Sequence, residues 1–296
     1  MLFNSKDALY YAANGLNIWY EKMIPTLFPF MILSGILIKT GYSIKIAKLC
    51  YPVIGKMFSL SYDCVYIILM GFLCGFPMGA AMIAESIKYG RITKQEGNCL
   101  LAFTNNIGPV YFISFICLYC PYLPVIAAFL IMYLVPLVYG LIMRYTQYKE
   151  LKCKNTKIFH NSDNKSLFKI IDDSIHDSIE NITKLGGYMI FFNLLNLIFV
   201  HPMFCISDKY QGMIACLLEI SGGVMQLKNY PQFFSYIYII LPIGEISCIA
   251  QTYSIIHNCG LNIRTYIYHK INQCIITVLI YFFVFVFFLL LIERIS

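Results

Sequence analysis

The sequence predicts an all-α membrane protein: a polytopic helical bundle with two inverted repeats, re-entrant hairpins and broken helices. Three observations lead there. Of 296 residues, 59% are hydrophobic and 12% charged, against roughly 25% charged in a soluble domain, and the mean hydropathy is +0.69. Several apolar runs reach the roughly 20 residues that cross a bilayer as helix. The stretch 69–115 is apolar enough for lipid yet is broken twice, at Gly75-Phe76-Pro77-Met78-Gly79 and at Asn105-Asn106-Ile107-Gly108-Pro109.

The breaks carry the functional expectation. Glycine lifts the steric bar on unusual backbone angles, and proline removes a donor and clashes with the preceding turn. Unpaired backbone groups in lipid cost several kcal/mol each, so broken helices persist where protein or a water-filled cavity receives them. Two breaks flanking a polar turn place free backbone dipoles and two amides at membrane depth, as a binding site requires. A proline kink that only fits neighbouring helices is the plainer alternative.

In chain order, residues 6–19 form a short mixed segment ending in Trp19, Tyr20, Glu21 and Lys22, an interfacial signature. It has neither the basic start nor the small-residue cleavage site of a signal peptide. Residues 23–38 are the first span, with Pro25 and Pro29 in its opening turns. Lys39, Lys45, Lys48 and Lys56 follow without an acid among them, which puts this loop in the cytoplasm. Residues 63–89 contain the first break, and beyond it lie Lys88, Arg91 and Lys94. With both flanks cytoplasmic, the segment enters and returns as a re-entrant hairpin tipped by Gly75–Gly79.

Residues 94–119 carry the second break, 120–124 make an uncharged outside turn, and 125–143 return inward. Seven basic residues between 144 and 169 face only Glu150 and Asp163, marking a cytoplasmic linker. The second half repeats the plan. Residues 168–184 set Ile171, Ile175, Ile179 and Ile182 on one helical stripe. Spans follow at 185–200, at 213–224 (ending in Ser221-Gly222-Gly223), at 233–257 with a third break at Pro242-Ile243-Gly244-Glu245, and at 266–292. The turn 260–264 echoes 90–94, aligning the two hairpins at a shift of 170 residues. The unpaired span 125–143 turns the second repeat upside down, an arrangement recurrent in secondary transporters. The expected division is 1–143 (first repeat plus connecting helix), 144–169 (linker) and 170–296 (second repeat).

The polar residues within apolar segments are the candidate site. Asn105 and Asn106 either bridge helices, worth on the order of 1 kcal/mol in a membrane, or face a ligand, which their place at a Gly–Pro break favours. Glu219 and Glu245 lie in or beside apolar segments, where a carboxylate is costly and usually functional; a water-exposed hairpin tip is the equal alternative for Glu245. Glu85 has Lys88 three residues on as a helix-face partner and reads as structural. Helices restarting at Met78 and Ile246 offer N-termini to an anion, with Ser247 at an N-cap position.

Other classes find little support. Twelve cysteines are scattered through apolar segments as small buried hydrophobes; Cys117 and Cys120 form the one CxxC pair, so neither a metal site nor a disulfide framework is expected. His160, His176, His201, His257 and His269 do not cluster, and no Gly-x-Ser-x-Gly elbow or paired acids suggest an enzyme. No cofactor is expected. The net charge of +7 sits in orienting loops and is no nucleic-acid signal. The expected partners are a small-molecule substrate and the lipid bilayer, with homo-oligomerisation open.

Several of these motifs carry a family resemblance. Residues 75–80 (GFPMGA), 90–93 (GRIT) and 100–106 (LLAFTNN) with Pro109, together with 24–30 (IPTLFPF) and 218–223 (LEISGG), resemble the sporulation integral membrane protein (YlbJ-type) family. That family lies in the nucleoside-recognition, or gate-domain, group, whose fold is similar to concentrative nucleoside transporters. The resemblance covers nearly the whole chain and is looser in the second half. There the family tends to carry Phe-Gly-Gly-x-Ser-Val-His-x-Gln, and this chain has 243–251 (IGEISCIAQ), keeping Ser247 and Gln251 but placing Glu245 at the second glycine and Ile249 at the histidine.

The resemblance implies a transporter of a small anionic or aromatic metabolite. In spore formers the family is linked to moving dipicolinic acid from the mother cell toward the forespore, which implies a multi-pass protein of the cell membrane or the mother-cell-derived forespore membrane. Together with the breaks and buried polar groups, this gives an expected substrate-binding set of Gly75, Pro77, Gly79, Asn105, Asn106, Gly244, Glu245, Ser247 and Gln251, with Glu245 and Glu219 as proton- or ion-coupling candidates. A non-transporting membrane scaffold or assembly protein of sporulation is the alternative. It is favoured if both breaks prove dispensable.

Overall fold

The computed structural model describes residues 5–121, 124–151, 166–200 and 206–295. The described residues are helical, with no strand among them. Most of the basic linker (152–165) and the centre of the 120–124 turn lie outside them.

α1 (Ser5–Ile18) and α2 (Ile24–Thr40) run on as one helical rod through a π-turn at Trp19–Met23. The sequence reading separates an interfacial segment from a span here; the structure joins them. Pro25 lacks a backbone N–H, and a wider turn just before it absorbs that missing bond without ending the helix. α3 (Ser43–Cys50) and the single turn α4 (Lys56–Phe58) form the basic connection. The chain bends by 97° between this connection and the next helix.

α5 (Tyr62–Cys74) and α6 (Met78–Lys88) pack on each other as a hairpin. Its open end is clasped by Arg91 to Asp63 at 3.3 Å, both buried, so the two arms run antiparallel. Thr93 and Glu96 then form a reciprocal capping box at the start of α7 (Lys94–Thr104), satisfying two otherwise orphan donors. After the extended residues Asn105–Gly108, α8 (Pro109–Tyr111) resumes and widens into a π-turn at Phe112–Cys117. α9 (Val125–Tyr145) returns, and buried Arg144 at its end donates to the carbonyls of Ser59, Tyr148 and Leu151.

α10 (Leu167–Val200) is a single helix of 34 residues. It packs along α1 and α2 in the opposite direction: Gly15 meets Ile190, Trp19 donates to the Ile182 carbonyl at 2.8 Å, and Gly35 meets Ser174. Its buried face is Ile170, Ser174, Ser178, Ile182, Leu185 and Met189, whereas Ile179 is exposed. The isoleucine stripe is therefore largely outside the core. Serines go inward because α2 approaches closely at Gly35, and their hydroxyls bond their own helix at Ile170 and Ser174.

α11 (Asp208–Leu218) and α12 (Ile220–Leu227) fold back on each other around Glu219 alone. The sequence reading puts the end of this span at Gly222-Gly223, but helix continues through both. Glu219 is the true break: its extended backbone ends α11, and its carboxylate caps α12. Gly223 is needed for contact, since a side chain there would collide with Cys216 across the hairpin. α13 (Phe234–Ile240), the third break and α14 (Ile246–Ile256) lead to α15 (Ile263–Ile295), which is continuous.

Among the described residues, four helical stretches are long and apolar enough to cross a membrane: Ser5–Thr40, Lys94–Cys117, Val125–Tyr145 and Ile263–Val284. A bent pair, Ser43–Phe58 with Tyr62–Cys74, makes a fifth if counted as one span. Lys88 does not partner Glu85 as its spacing suggests. It lies 3.8 Å from Asp177 on α10, and Glu85 faces Lys39 on α2 at 3.8 Å.

The backbone geometry yields a stability prediction. Gly75 has φ +79°, and any Cβ there would overlap Gly108. Gly187 sits in α10 with open space around it. Gly75→Ala is expected to cost at least about 1–3 kcal/mol, and Gly187→Ala to stabilise by up to about 1 kcal/mol. Thermal unfolding of both variants in detergent checks the pair; equal melting temperatures would contradict the packing described.

Candidate functional site

The three breaks, distant in sequence, come together around Phe76. Proline and glycine free the backbone at 75–77, and the Phe76 N–H donates to the Asn106 carbonyl at 2.6 Å. Gly75 and Gly108 pack backbone to backbone, and a Cβ at Gly79 would stand 2.6 Å from the Thr104 carbonyl. The first break thus lies directly on the second. From the third, Gly244 (φ +71°) comes to the Phe76 ring, where a Cβ would be 3.0 Å from Cζ.

Asn105 is wholly buried and fully engaged. Its Oδ1 accepts from the Ala80 N–H at the start of α6 (3.3 Å), and its Nδ2 donates to Thr252 Oγ1 (3.0 Å) and the Tyr266 hydroxyl (3.1 Å). One amide therefore ties α7 to α6, α14 and α15. Asn106 differs. Its Nδ2 donates to the Phe103 carbonyl at 2.6 Å, and its Oδ1 accepts from Lys270 Nζ on α15 at 2.7 Å.

Lys270 is fully buried, with its ammonium 5.0 Å from the Phe76 ring centroid and 5.8 Å from that of Tyr266. Rings at such distances attract a cation through their negative faces. Sequence reasoning missed Lys270, since its helix begins with polar residues and a lysine there reads as a helix end. The usable signal was its company: Lys270, Asn272 and Gln273 recur within one turn of a span, and polar groups at that depth are seldom idle. Gln273 also belongs here, donating to the Ala102 carbonyl near the end of α7.

The carboxylates occupy unlike settings. Glu219 accepts from the Ser221 N–H (3.1 Å), Ser221 Oγ (2.7 Å), the Gly222 N–H (2.9 Å) and Asn193 Nδ2 (3.0 Å). Four donors, two of them backbone N–H groups at a helix N-terminus, hold it as the cap of α12. Tyr111 donates to Ser221 Oγ at 2.9 Å, joining this cap to the second break. Glu245, buried at the third break, accepts from Cys248 Sγ at 2.8 Å. It is itself the N-cap residue of α14, so Ser247 lies one turn-step inside the helix. Ser247 Oγ accepts from Gln251 Nε2 at 2.9 Å, pairing two of the expected site residues. Gly75, Pro77, Gly79, Asn105, Asn106 and Gly244 are thus gathered at one place, with Glu245, Ser247 and Gln251 on the adjoining start of α14. Glu219, at the α11–α12 turn, reaches this cluster through Ser221 and Tyr111.

A cavity of about 400 Å³ opens beside this cluster, between α2, α6, α10 and the end of α14. Ala81 and Met82 on α6 line it just past the first break, and Glu85, Lys88, Asp177 and Lys184 give it a charged rim.

Comparison with known proteins fits this geometry. Residues 21–135, which include the first two breaks, match the Gate family, described as nucleoside recognition. Over 200 residues, 62% of this chain, it is 28% identical to the sporulation integral membrane protein YlbJ of Bacillus subtilis (strain 168). The chain spans about half the length of that curated relative, 49%. No solved structure matches.

The hydrogen bonds predict different outcomes for the paired amides. Asn105→Ala strands the Ala80 N–H and takes an amide donor from the Thr252 and Tyr266 hydroxyls, and is expected to cost about 1–3 kcal/mol. Asn106→Ala removes the one acceptor that buried Lys270 has among the described residues and is expected to cost more, because an uncompensated buried charge outweighs lost neutral hydrogen bonds. Thermal melts of the two variants side by side check the order, and the reverse order would contradict it.

Proposed function

We propose that this relative of the Gate and YlbJ membrane proteins is a multi-pass transporter of a small anionic or aromatic metabolite. The observation that carries the proposal is the meeting of three helix breaks on Phe76. Each break forfeits helical hydrogen bonds at membrane depth. Three such losses gathered at one place make sense where a solute is bound and released.

Further features support the reading. α10 opposes α1 and α2 in direction, as equivalent elements of inverted repeats would. The α5–α6 hairpin and the α13–α14 pair each carry a glycine of positive φ at the break, Gly75 and Gly244, close to the expected shift of 170 residues. In this reading, 1–143 and 170–296 are the two repeats, 144–169 is the cytoplasmic linker, and α5–α6 is re-entrant because basic segments flank it on both sides. The charged cavity beside α6 is the aqueous approach from that side. Gly75, Pro77, Gly79, Asn106, Gly244, Ser247 and Gln251 shape the solute site, and Asn105 keeps it assembled. Glu245 is the proton-coupling group: a carboxylate at a break that alternately faces two aqueous sides can load and release a proton.

Dipicolinic acid, the solute the sequence resemblance implies, is the first to test, with the mother-cell-derived forespore membrane as the setting. Purified protein in liposomes is expected to move labelled dipicolinate faster than protein-free liposomes do. Folded protein that moves neither dipicolinate nor any other small anion or nucleoside would refute the transporter reading. Cysteines placed in 39–56, 88–94 and 144–169 are expected to react from the cytoplasmic side alone; labelling of 88–94 from outside would rule out the re-entrant hairpin. Glu245→Gln keeps size and hydrogen bonding but cannot titrate, so it is expected to bind solute and lose the pH dependence of flux. An unchanged pH profile would remove Glu245 from the coupling role.

A further inference from the structure

Among the described residues, Lys270 has no ion-pair partner. Its ammonium has three donor positions. Among the described residues it finds one acceptor, Asn106 Oδ1, and no carboxylate within 4.0 Å. Buried ion pairs are common compromises, but a buried cation faced by one amide oxygen and two aromatic rings is left under-compensated. The neighbouring carboxylates are engaged elsewhere, Glu219 by its four donors and Glu245 by Cys248. What covers the ammonium belongs to the breaks themselves: an amide on the second and a ring on the first.

We propose that Lys270 is the anchor for one carboxylate group of a planar solute, with Asn106 and Phe76 holding its place in the empty site. This rests on the transporter reading and specifies the solute class for the same site. An arriving carboxylate takes the open donor positions of Lys270 and supplies the missing negative charge. Phe76 and Tyr266 offer ring faces to a flat solute body. A carboxylate suits the site better than a phosphate, because a single lysine serves it and no arginine joins in.

The anchor also links the solute to the breaks. Phe76 is bonded through its N–H to Asn106 and packed by Gly244. A solute that takes Lys270 from Asn106 and lifts the Phe76 ring loosens the first break from the second and third together. Neutral solutes give no such exchange.

The test uses the purified full chain in detergent, with benzoate as the probe and benzamide as its neutral isostere. Benzoate is expected to bind the parent protein more tightly than benzamide does. Lys270→Met, which keeps much of the volume and removes the charge, is expected to weaken benzoate about tenfold or more and leave benzamide unchanged; Lys270→Arg is expected to keep the benzoate preference. Equal binding of the two probes by the parent, undiminished benzoate binding by Lys270→Met, or no benzoate binding at millimolar concentration would each overturn the proposal. If Lys270→Met does not fold, the parent's benzoate–benzamide comparison and Lys270→Arg decide it. Lys270-dependent benzoate binding without flux of any solute in liposomes would refute transport and leave the anchor standing. Flux of neutral solutes without a benzoate preference would do the reverse.

Discussion

The hydrogen bond from the Phe76 N–H to the Asn106 carbonyl is the joint on which the rest of the structure turns. Each partner is a backbone group released by a break in its own helix. Left unpaired, each would carry the cost of a lost hydrogen bond, so each break needs the other. The glycines follow from this need. Gly75 and Gly108 touch through their backbones, and Gly79 lies under Thr104, so the two segments approach as no side chain would permit. Once they are crossed, the helices carrying them are fixed: α5 and α6 as a hairpin, α7 and α8 as an offset rod.

Around that joint the polar side chains divide the work. Asn105 binds α6, α14 and α15 into one unit, whereas Asn106 faces the buried Lys270. Glu219 turns α11 into α12 with its carboxyl group held by four donors, and Tyr111 carries that cap back to the second break. Positive charge sits both in the connecting segments and, fully buried, at Lys270. The structure therefore combines a rigid frame with one poorly compensated cation.

Much of this was legible in the sequence, because the signals were local and chemically unambiguous. Gly-Phe-Pro at 75–77 and Asn-Asn-Ile-Gly-Pro at 105–109 announce their breaks, and both occur where the sequence places them. The third break, at 242–245, does too. The misreadings arise where tertiary context decides. Gly222 and Gly223 look like a stop but are contact points within a helix, and the turn belongs to Glu219, whose cap is visible only when its donors are folded against it. The isoleucine stripe of α10 looks like a core face, yet close approach of α2 favours serine there. Lys270 shows nothing local; its meaning comes from Asn106, 164 positions away.

The central claim is that the meeting point of the three breaks is where solute binds. An experimental structure of the full chain in a lipid nanodisc with saturating dipicolinate tests it most directly. The account predicts solute density touching Phe76, Asn106 and Lys270, with the Lys270–Asn106 hydrogen bond opened. Solute density confined to the cavity between α2, α6, α10 and α14, with the three breaks still closed on one another, would contradict it.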